Sequence, residues 1–372
     1  MNFEFNDDQR MLQDQARRFL LDKCTAEVVR ETLETDQPYD KDLWRQFGEM
    51  GWLGAAIPEA YGGSGLGHLE LCVIAEELGR SLAPTPFASS IYLGAEALMV
   101  AGSEEQKQGY LPDIATGAAI WCLALSEGAR PATEKNITAS VSIGKLSGEK
   151  LPVADGDIAD KAIVVAKDGG TAGLYIVDLN GAGVERTTVD TVDPTRSQAR
   201  LVFADAPAEK LGADNVEGGW PLLERIQDRA AVLMAFEQVG GAEVAMEMAK
   251  EYALGRFAFG RAIAGYQAIK HRLADMYIQT ELARSNCYYG AWALSTDAAE
   301  LAVAAATARV SATEAFHFAS KENIQIHGGM GFTWEFNCHL YYRRSRNLAL
   351  ALGSQRRWKD RLIRALERRN AA

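Results

Sequence analysis

The order of apolar and polar positions divides the chain into three stretches. In the first, Met11, Leu12, Ala16, Phe19 and Leu20 recur at helical spacing, which puts them on one face of a helix. Asn6, Asp7 or Asp8 can open that helix, because a short acceptor side chain satisfies the free amides of a first turn. Further helices are expected over 43–50 and 69–80, separated by a loop at 58–65 in which Pro58 and a run of glycines and serine break regular structure. Pro84 and Pro86 mark the exit. The middle stretch changes period. Short β-branched runs at 162–166, 174–177 and 199–203, bounded by Gly and Asp, read as strands of a small barrel or sandwich. The last stretch keeps long apolar stripes over 220–254 and 266–294 and an alanine-rich one over 301–326. Long helices joined by short loops suggest a four-helix bundle. The expected fold is therefore α+β and multidomain: an all-helical domain over 1–117, a β domain over 118–216 and a helical bundle over 217–372. No internal repeat or low-complexity linker interrupts this order.

Composition narrows the classes. The 372 residues suffice for two or three packed units. A 48% apolar and 24% charged content is that of an ordinary globular protein. The net charge of −11, from 39 Lys and Arg against 50 Asp and Glu, argues against a general nucleic-acid binder. The C-terminal end reverses this sign with Arg343, Arg344, Arg346, Arg356, Arg357, Arg361, Arg364, Arg368 and Arg369. These fit a solvated helix face with cations near a helix C-terminus, or a set that holds the phosphates of a nucleotide-like ligand. The cysteines (Cys24, Cys72, Cys122, Cys287 and Cys338) are scattered without metal-ligand spacing, which suggests reduced thiols in a cytoplasmic protein. The N-terminus lacks the basic and apolar regions of a signal peptide, and no apolar run is long enough to suggest a membrane span.

Two blocks in the last stretch carry candidate chemistry. The first is Arg256-Phe257-Ala258-Phe259-Gly260, followed by a helix that carries Gln267. A guanidinium binds pyrophosphate in a fork geometry, and an aromatic ring can cover a flat apolar ligand. Taken singly, Arg256 could equally pair with a surface acid, and Phe259 could be core. The second is Gln325-Ile326-His327-Gly328-Gly329-Met330-Gly331-Phe332. Without a Cβ, glycine lets the backbone approach a phosphate or ribose, although a lone Gly-Gly more often stops a helix. His327 has no metal partner in the sequence and reads as structural.

Together with the α–β–α order, these blocks strongly resemble the acyl-CoA dehydrogenase family, nearly end to end. The resemblance implies FAD as cofactor, an acyl-CoA substrate, a tetramer, and electron-transfer flavoprotein or a similar acceptor. It assigns Arg256, Phe259, Gln267, Gln325 and Gly329 to the FAD of a neighbouring subunit. Family members open the β domain with Thr-Glu-Pro-Gly-x-Gly-Ser-Asp. This chain has Leu125-Ser126-Glu127-Gly128 and lacks the Gly-Ser-Asp end, so Ser126 is carried over as a flavin contact. Where the family has Trp-x-Thr over the flavin ring, this chain has Pro152 and Ala154.

The family's base is the glutamate of a Glu-Gly-Thr/Ser triplet, which removes the substrate α-proton. The triplet here reads Leu352-Gly353-Ser354; Ser354 is retained as a cofactor contact, but Leu352 has no acid–base chemistry. Some members place the glutamate on an earlier helix, at the position of Ala230. The nearby acids are Glu224, Asp228 and Glu237. Glu237 is about 10 Å along the helix from Ala230, and Asp228 points elsewhere, so a solvated or interface role suits both better. Features given to a neighbour's flavin are intact and those facing the chain's own flavin are degraded. The chain thus resembles the base-lacking subunit of a heterotetramer that α,β-dehydrogenates CoA thioesters of bulky acids, including steroid side chains, or else a divergent homotetramer of weak activity. A flavin-dependent monooxygenase on the same fold, which needs no α-proton base, and a non-catalytic scaffold subunit are the alternatives.

Overall fold

A computed structural model describes residues 6–35, 37–212 and 219–371. The first five residues of the N-terminal reading and the expected boundary at 216/217 lie outside the described residues. In chain order the helices are α1 (Asp7–Lys23), α2 (Ala26–Glu34), α3 (Lys41–Glu49), α4 (His68–Ser81), α5 (Glu96–Ala101) and α6 (Glu104–Thr116). Strands β1 (Trp121–Ala124), β2 (Ser140–Ser142), β3 (Lys145–Ala154), β4 (Lys161–Asp168), β5 (Thr171–Asp178), β6 (Val184–Thr188), β7 (Gln198–Pro207) and β8 (Glu209–Lys210) follow. The chain continues with α7 (Trp220–Gly255), β9 (Phe257–Ala258), β10 (Arg261–Ala262), α8 (Gln267–Ser295), α9 (Leu301–His327), α10 (Cys338–Ala351) and α11 (Gln355–Ala371). A helical N-terminal region, a curled sheet and a helical C-terminal region thus succeed one another, as the family architecture implies.

By contact the chain forms two compact units, one of residues 1–30, 68–83 and 231–372, the other of 31–67 and 84–230. In the first, α1 starts with a reciprocal cap: Asn6 accepts from Gln9 N and Gln9 returns the bond to Asn6 N. Helices α8, α10 and α11 pack on α9, and α4 packs on α1 and α8. Where α4 crosses α7 the backbones nearly touch. A Cβ built on Gly79 would stand 1.9 Å from Glu237 O, and one on Gly240 would stand 2.0 Å from Glu76 O. Ion pairs cross the same region: Arg80 Nη1 lies 2.6 Å from Glu243, and Arg284 bonds both Glu76 and Glu243.

The second unit holds the sheet, in the order β6-β7-β3-β2-β4-β5-β8, with β1 parallel to β4. Ala162–Ala166 of β4 is buried on both faces and so reads as a continuous apolar run, whereas β7 turns Ala199, Leu201 and Phe203 inward in alternation. The β3–β7 register shifts between Lys150 and Val153, because Pro152 has no N–H to give the ladder. A fully buried π-helical segment, Ala88–Ala95, precedes α5. Sequence periodicity had marked only the prolines ahead of it.

The β2–β3 turn holds Ile143 at φ 49° and Gly144 at φ 68°. A β-branched residue is costly there, and Ile143 is 99% exposed, so no packing compensates. Ile143→Asn is expected to raise stability by about 0.5–1 kcal/mol, since asparagine tolerates this turn. The check is a higher urea midpoint at unchanged slope.

Candidate functional site

One end of the helical bundle gathers five of the residues singled out above. Strands β9 and β10 form a tight hairpin whose tip is Phe259 (φ 51°) and Gly260 (φ 83°). Tyr266 ties the hairpin to the start of α8 by donating its hydroxyl to Ala258 O at 2.9 Å, and Ile263 N donates to Arg256 O at 2.8 Å. Phe259 is 97% exposed, which excludes a core role. An aromatic residue held in a left-handed turn with its ring in solvent is a strained position of the kind found at binding sites. Arg256 is exposed, and no carboxylate among the described residues pairs with it. Gln267 is the exposed first residue of α8, whose N-cap Tyr266 supplies no side-chain acceptor. Ile269 N donates to Tyr266 O at 3.1 Å, which leaves the Gln267 and Ala268 amides of that first turn available to an anion.

The glycine segment meets this hairpin through an aromatic stack. The Tyr252 ring lies 4.1 Å from the His327 ring, and Phe336 packs edge-on against both. His327 Nδ1 is 2.9 Å from Asn323 O, and burial holds its pKa below the ordinary value against that bond. His327 is therefore structural, as its lack of metal partners implied. It brings the end of α9 beside the end of α7. There Gln325, Gly328 and Gly329 are exposed, Gly328 has φ 61°, and a Cβ on either glycine would meet nothing within 4 Å. Phe332 is 81% exposed. Arg256, Phe259, Gln267, Gln325 and Gly329 thus share one open surface with a guanidinium, a free helix N-terminus, two carboxamides and bare glycine backbone. That donor set fits a phosphate-bearing, flat-ringed ligand.

Ser354 does not join them. It sits just past α10, about 20 Å along that helix from its start near Phe332, where its Oγ accepts from Arg357 N at 3.4 Å. The preceding Leu352 is 3% exposed, and its carbonyl accepts from Trp358 Nε1 at 3.1 Å. The position of the family's glutamate is a packed apolar residue.

In the sheet-bearing unit, residues 125–128 run beside 150–152. Leu151 N donates to Ser126 O at 2.8 Å and Gly128 N to Leu151 O at 2.7 Å. Ser126, Pro152 and Ala154 therefore belong to one local patch. Glu127 matches the family motif, but its carboxylate is occupied by Lys150 Nζ (2.6 Å), Thr138 N (2.7 Å), Thr138 Oγ1 (2.6 Å) and Ala139 N (3.0 Å). Partial burial pushes its pKa up, and these donors more than reverse that, leaving it low. Its carboxylate is taken up by these donors and holds the strand start together.

The remaining acids are likewise committed. Ala230 is fully buried in α7. Glu237 is buried against Arg344, 3.4 Å away, and Arg344 also donates to Leu82 O at 3.0 Å. This corrects both readings of the C-terminal arginines at one position, because Arg344 is neither solvated nor free for a phosphate. Arg361 is also buried, over the Trp358 ring. Asp228 is buried and has interaction partners. Sequence reasoning missed a second buried pair, Glu96 with Arg229 at 2.6 Å; its members are far apart in the chain and no motif links them. No helix of the described residues is long and apolar enough to cross a membrane, and no metal-binding cluster occurs among them.

Residues 6–118 match the family model "Acyl-CoA dehydrogenase, N-terminal domain", and residues 217–366 match "Acyl-CoA dehydrogenase, C-terminal domain". The chain is 33% identical to acyl-CoA dehydrogenase IpdE2 of Mycobacterium tuberculosis over 359 residues, 96% of each chain. Among solved structures, the ChsE4-ChsE5 complex of Mycobacterium tuberculosis superposes with a TM-score of 0.88 at 29% identity, covering 99% of both chains. A Tcur3481-Tcur3483 steroid ACAD variant gives 0.88 at 29% identity, covering 98% of this chain and 99% of that one. A full-length relative above 30% identity, family matches on both flanks of the sheet and the same fold throughout place this chain in the acyl-CoA dehydrogenase family.

Proposed function

We propose that this chain is the base-lacking subunit of a heterotetrameric, FAD-dependent acyl-CoA dehydrogenase, and that it completes the flavin site of a homologous partner. The observation that carries this is the asymmetry of its residues. The surface of Arg256, Phe259, Gln267, Gln325 and Gly329 is open, and no acid among the described residues pairs with Arg256. The chain's own side has Leu352 for the base and Pro152 and Ala154 for the ring contacts. Arg256 and the first turn of α8 would hold the pyrophosphate, Phe259 would lie against a ring, and the Gly328–Gly329 backbone would admit the adenylate. On the side where the chain's own flavin site has degraded, Ser126 would be the one contact retained, with Ser354 near the base position. FAD, when bound, accepts the substrate's β-hydrogen as hydride. Removal of the α-proton falls to a carboxylate that this chain does not supply at residue 352 or 230.

Heteromeric relatives such as the ChsE4-ChsE5 complex support the subunit reading, and the steroid ACAD neighbour supports a bulky, steroid-type acyl group. Electron-transfer flavoprotein or a similar carrier would take the electrons. The five cysteines are buried thiols outside any disulfide, which suits a reducing cytoplasm. We also hold to the division into 1–117, 118–216 and 217–372 as functional regions.

The test is to purify the chain alone and with a co-expressed homologue that keeps the glutamate, and to assay acyl-CoA oxidation with an artificial acceptor. Activity is expected only in the mixed assembly, and it should disappear when the partner's glutamate is changed to glutamine. Turnover by the chain alone would overturn the proposal.

A further inference from the structure

Asp155 directly follows the stretch in which Pro152 and Ala154 replace the family's ring contacts. Its backbone is anchored twice. Its N–H donates to Ser197 O at 2.9 Å, and its carbonyl accepts from Ile158 N at 3.2 Å and Ala159 N at 2.9 Å. Its carboxyl is buried between two hydroxyls. Oδ2 lies 2.5 Å from Ser89 Oγ of the π-helical segment, and Oδ1 lies 3.3 Å from Ser197 Oγ. Each hydroxyl also has another acceptor: Pro86 O at 3.0 Å for Ser89 and Asp157 Oδ1 at 2.7 Å for Ser197. Two hydroxyl hydrogens therefore face four acceptor oxygens. One more proton gives the three shorter contacts a hydrogen each. Asp155 Oδ2–H donates to Ser89 Oγ, Ser89 donates to Pro86 O, and Ser197 donates to Asp157.

We propose that Asp155 is a positioning residue that in its neutral form pins the turn after β3 to the π-helical segment through its own proton. The loop's place beside a flavin rests on the proposed function, but the clamp itself is internal to one compact unit. The charged groups acting on it are Arg196 on the loop before β7 and Asp157 on its own turn; the Cys122 thiol on β1 feels both Asp155 and Asp157, and Arg186 on β6. Burial raises the Asp155 carboxyl to about 6, against the pull of Arg196 and of the two hydroxyls, and Asp157 adds to the rise. Burial, with Asp155 and Asp157, also keeps the Cys122 thiol protonated. The folded pKa exceeds the unfolded one, so the clamp stabilises fully at acid pH and is lost as pH rises through about 6.

The experiment uses the full chain without added ligand, so its outcome is independent of whether the proposed flavin function holds. Thermal unfolding is followed from about pH 5 to about pH 7.5 for the wild type, Asp155→Asn and Ser89→Ala. The wild type should lose a few degrees more across this window than Asp155→Asn, whose amide donates to Ser89 without titrating. Ser89→Ala should melt lower at the acid end, because the clamp has lost its partner, but keep a pH slope, because Asp155 stays buried and still titrates. Hydrogen exchange of the 151–159 peptide, corrected for intrinsic rates, should lose protection through the same window only in the wild type. Equal pH slopes in wild type and Asp155→Asn, or loop protection that does not change through about pH 6, would overturn the proposal.

Discussion

Replacing Gly240 with alanine is expected to destabilise the helical bundle by about 3 kcal/mol or more, the upper end of what overpacking costs. The new Cβ would stand 2.0 Å from Glu76 O and 3.1 Å from Arg80 N, and backbone atoms of a packed helix cannot rotate away as a side chain does. Separation of α4 from α7 would also disturb the Arg80–Glu243 pair, which spans this crossing, and the bridge from Arg284 of α8 to Glu76 of α4 and Glu243 of α7. Breaking a buried pair costs more than the pair contributes when intact. Thermal unfolding and soluble yield check the expectation. Gly329→Ala is the control: nothing lies within 4 Å of its built Cβ, so it should melt like the wild type. Equal melting temperatures for Gly240→Ala and wild type would mean that the helices do not approach as described.

The second large effect concerns the flavin surface. Arg256→Ala should leave the fold intact, because the side chain is exposed and its main-chain bonds to Tyr252 and Ile263 do not need the guanidinium. A charge-assisted hydrogen bond contributes about 1.5–3 kcal/mol, so FAD retention in the mixed assembly should fall roughly 10- to 100-fold. Phe259→Ala should also weaken FAD with little effect on the hairpin, since alanine keeps the Cβ strain at φ 51° and loses only an exposed ring. Flavin absorbance per protein after gel filtration measures both. Undiminished flavin content in Arg256→Ala would remove this surface from the cofactor site.

Much of this was legible in the sequence for identifiable reasons. Helices α7, α8 and α9 carry long stripes with few breaks, so period alone located them. The blocks around Arg256 and Gly329 are specific in order, and the fold brings them together through the Tyr252–His327 stack, a contact that no motif contains. What was hidden depends on distant partners. Glu127 matches a flavin motif, yet Lys150 and the Thr138–Ala139 amides determine its role. Arg344 looked like part of a surface run until Glu237 and Leu82 proved to hold it. The hairpin at Phe259 has Phe-Gly where Asn-Gly would have signalled a tight turn. The π-helical segment was invisible because its buried residues, Ala88 through Ala95, show no amphipathic period.

Flavin stoichiometry tests the central claim most directly. The mixed assembly of this chain with a glutamate-bearing homologue should contain about one FAD for every two chains, one complete site per unlike pair. Arg256→Ala in this chain alone should remove most of it, although the partner is unchanged. This chain purified alone should hold little. If it instead binds one FAD per chain by itself, or if the assembly keeps its flavin with Arg256→Ala, then this subunit does not complete its partner's site.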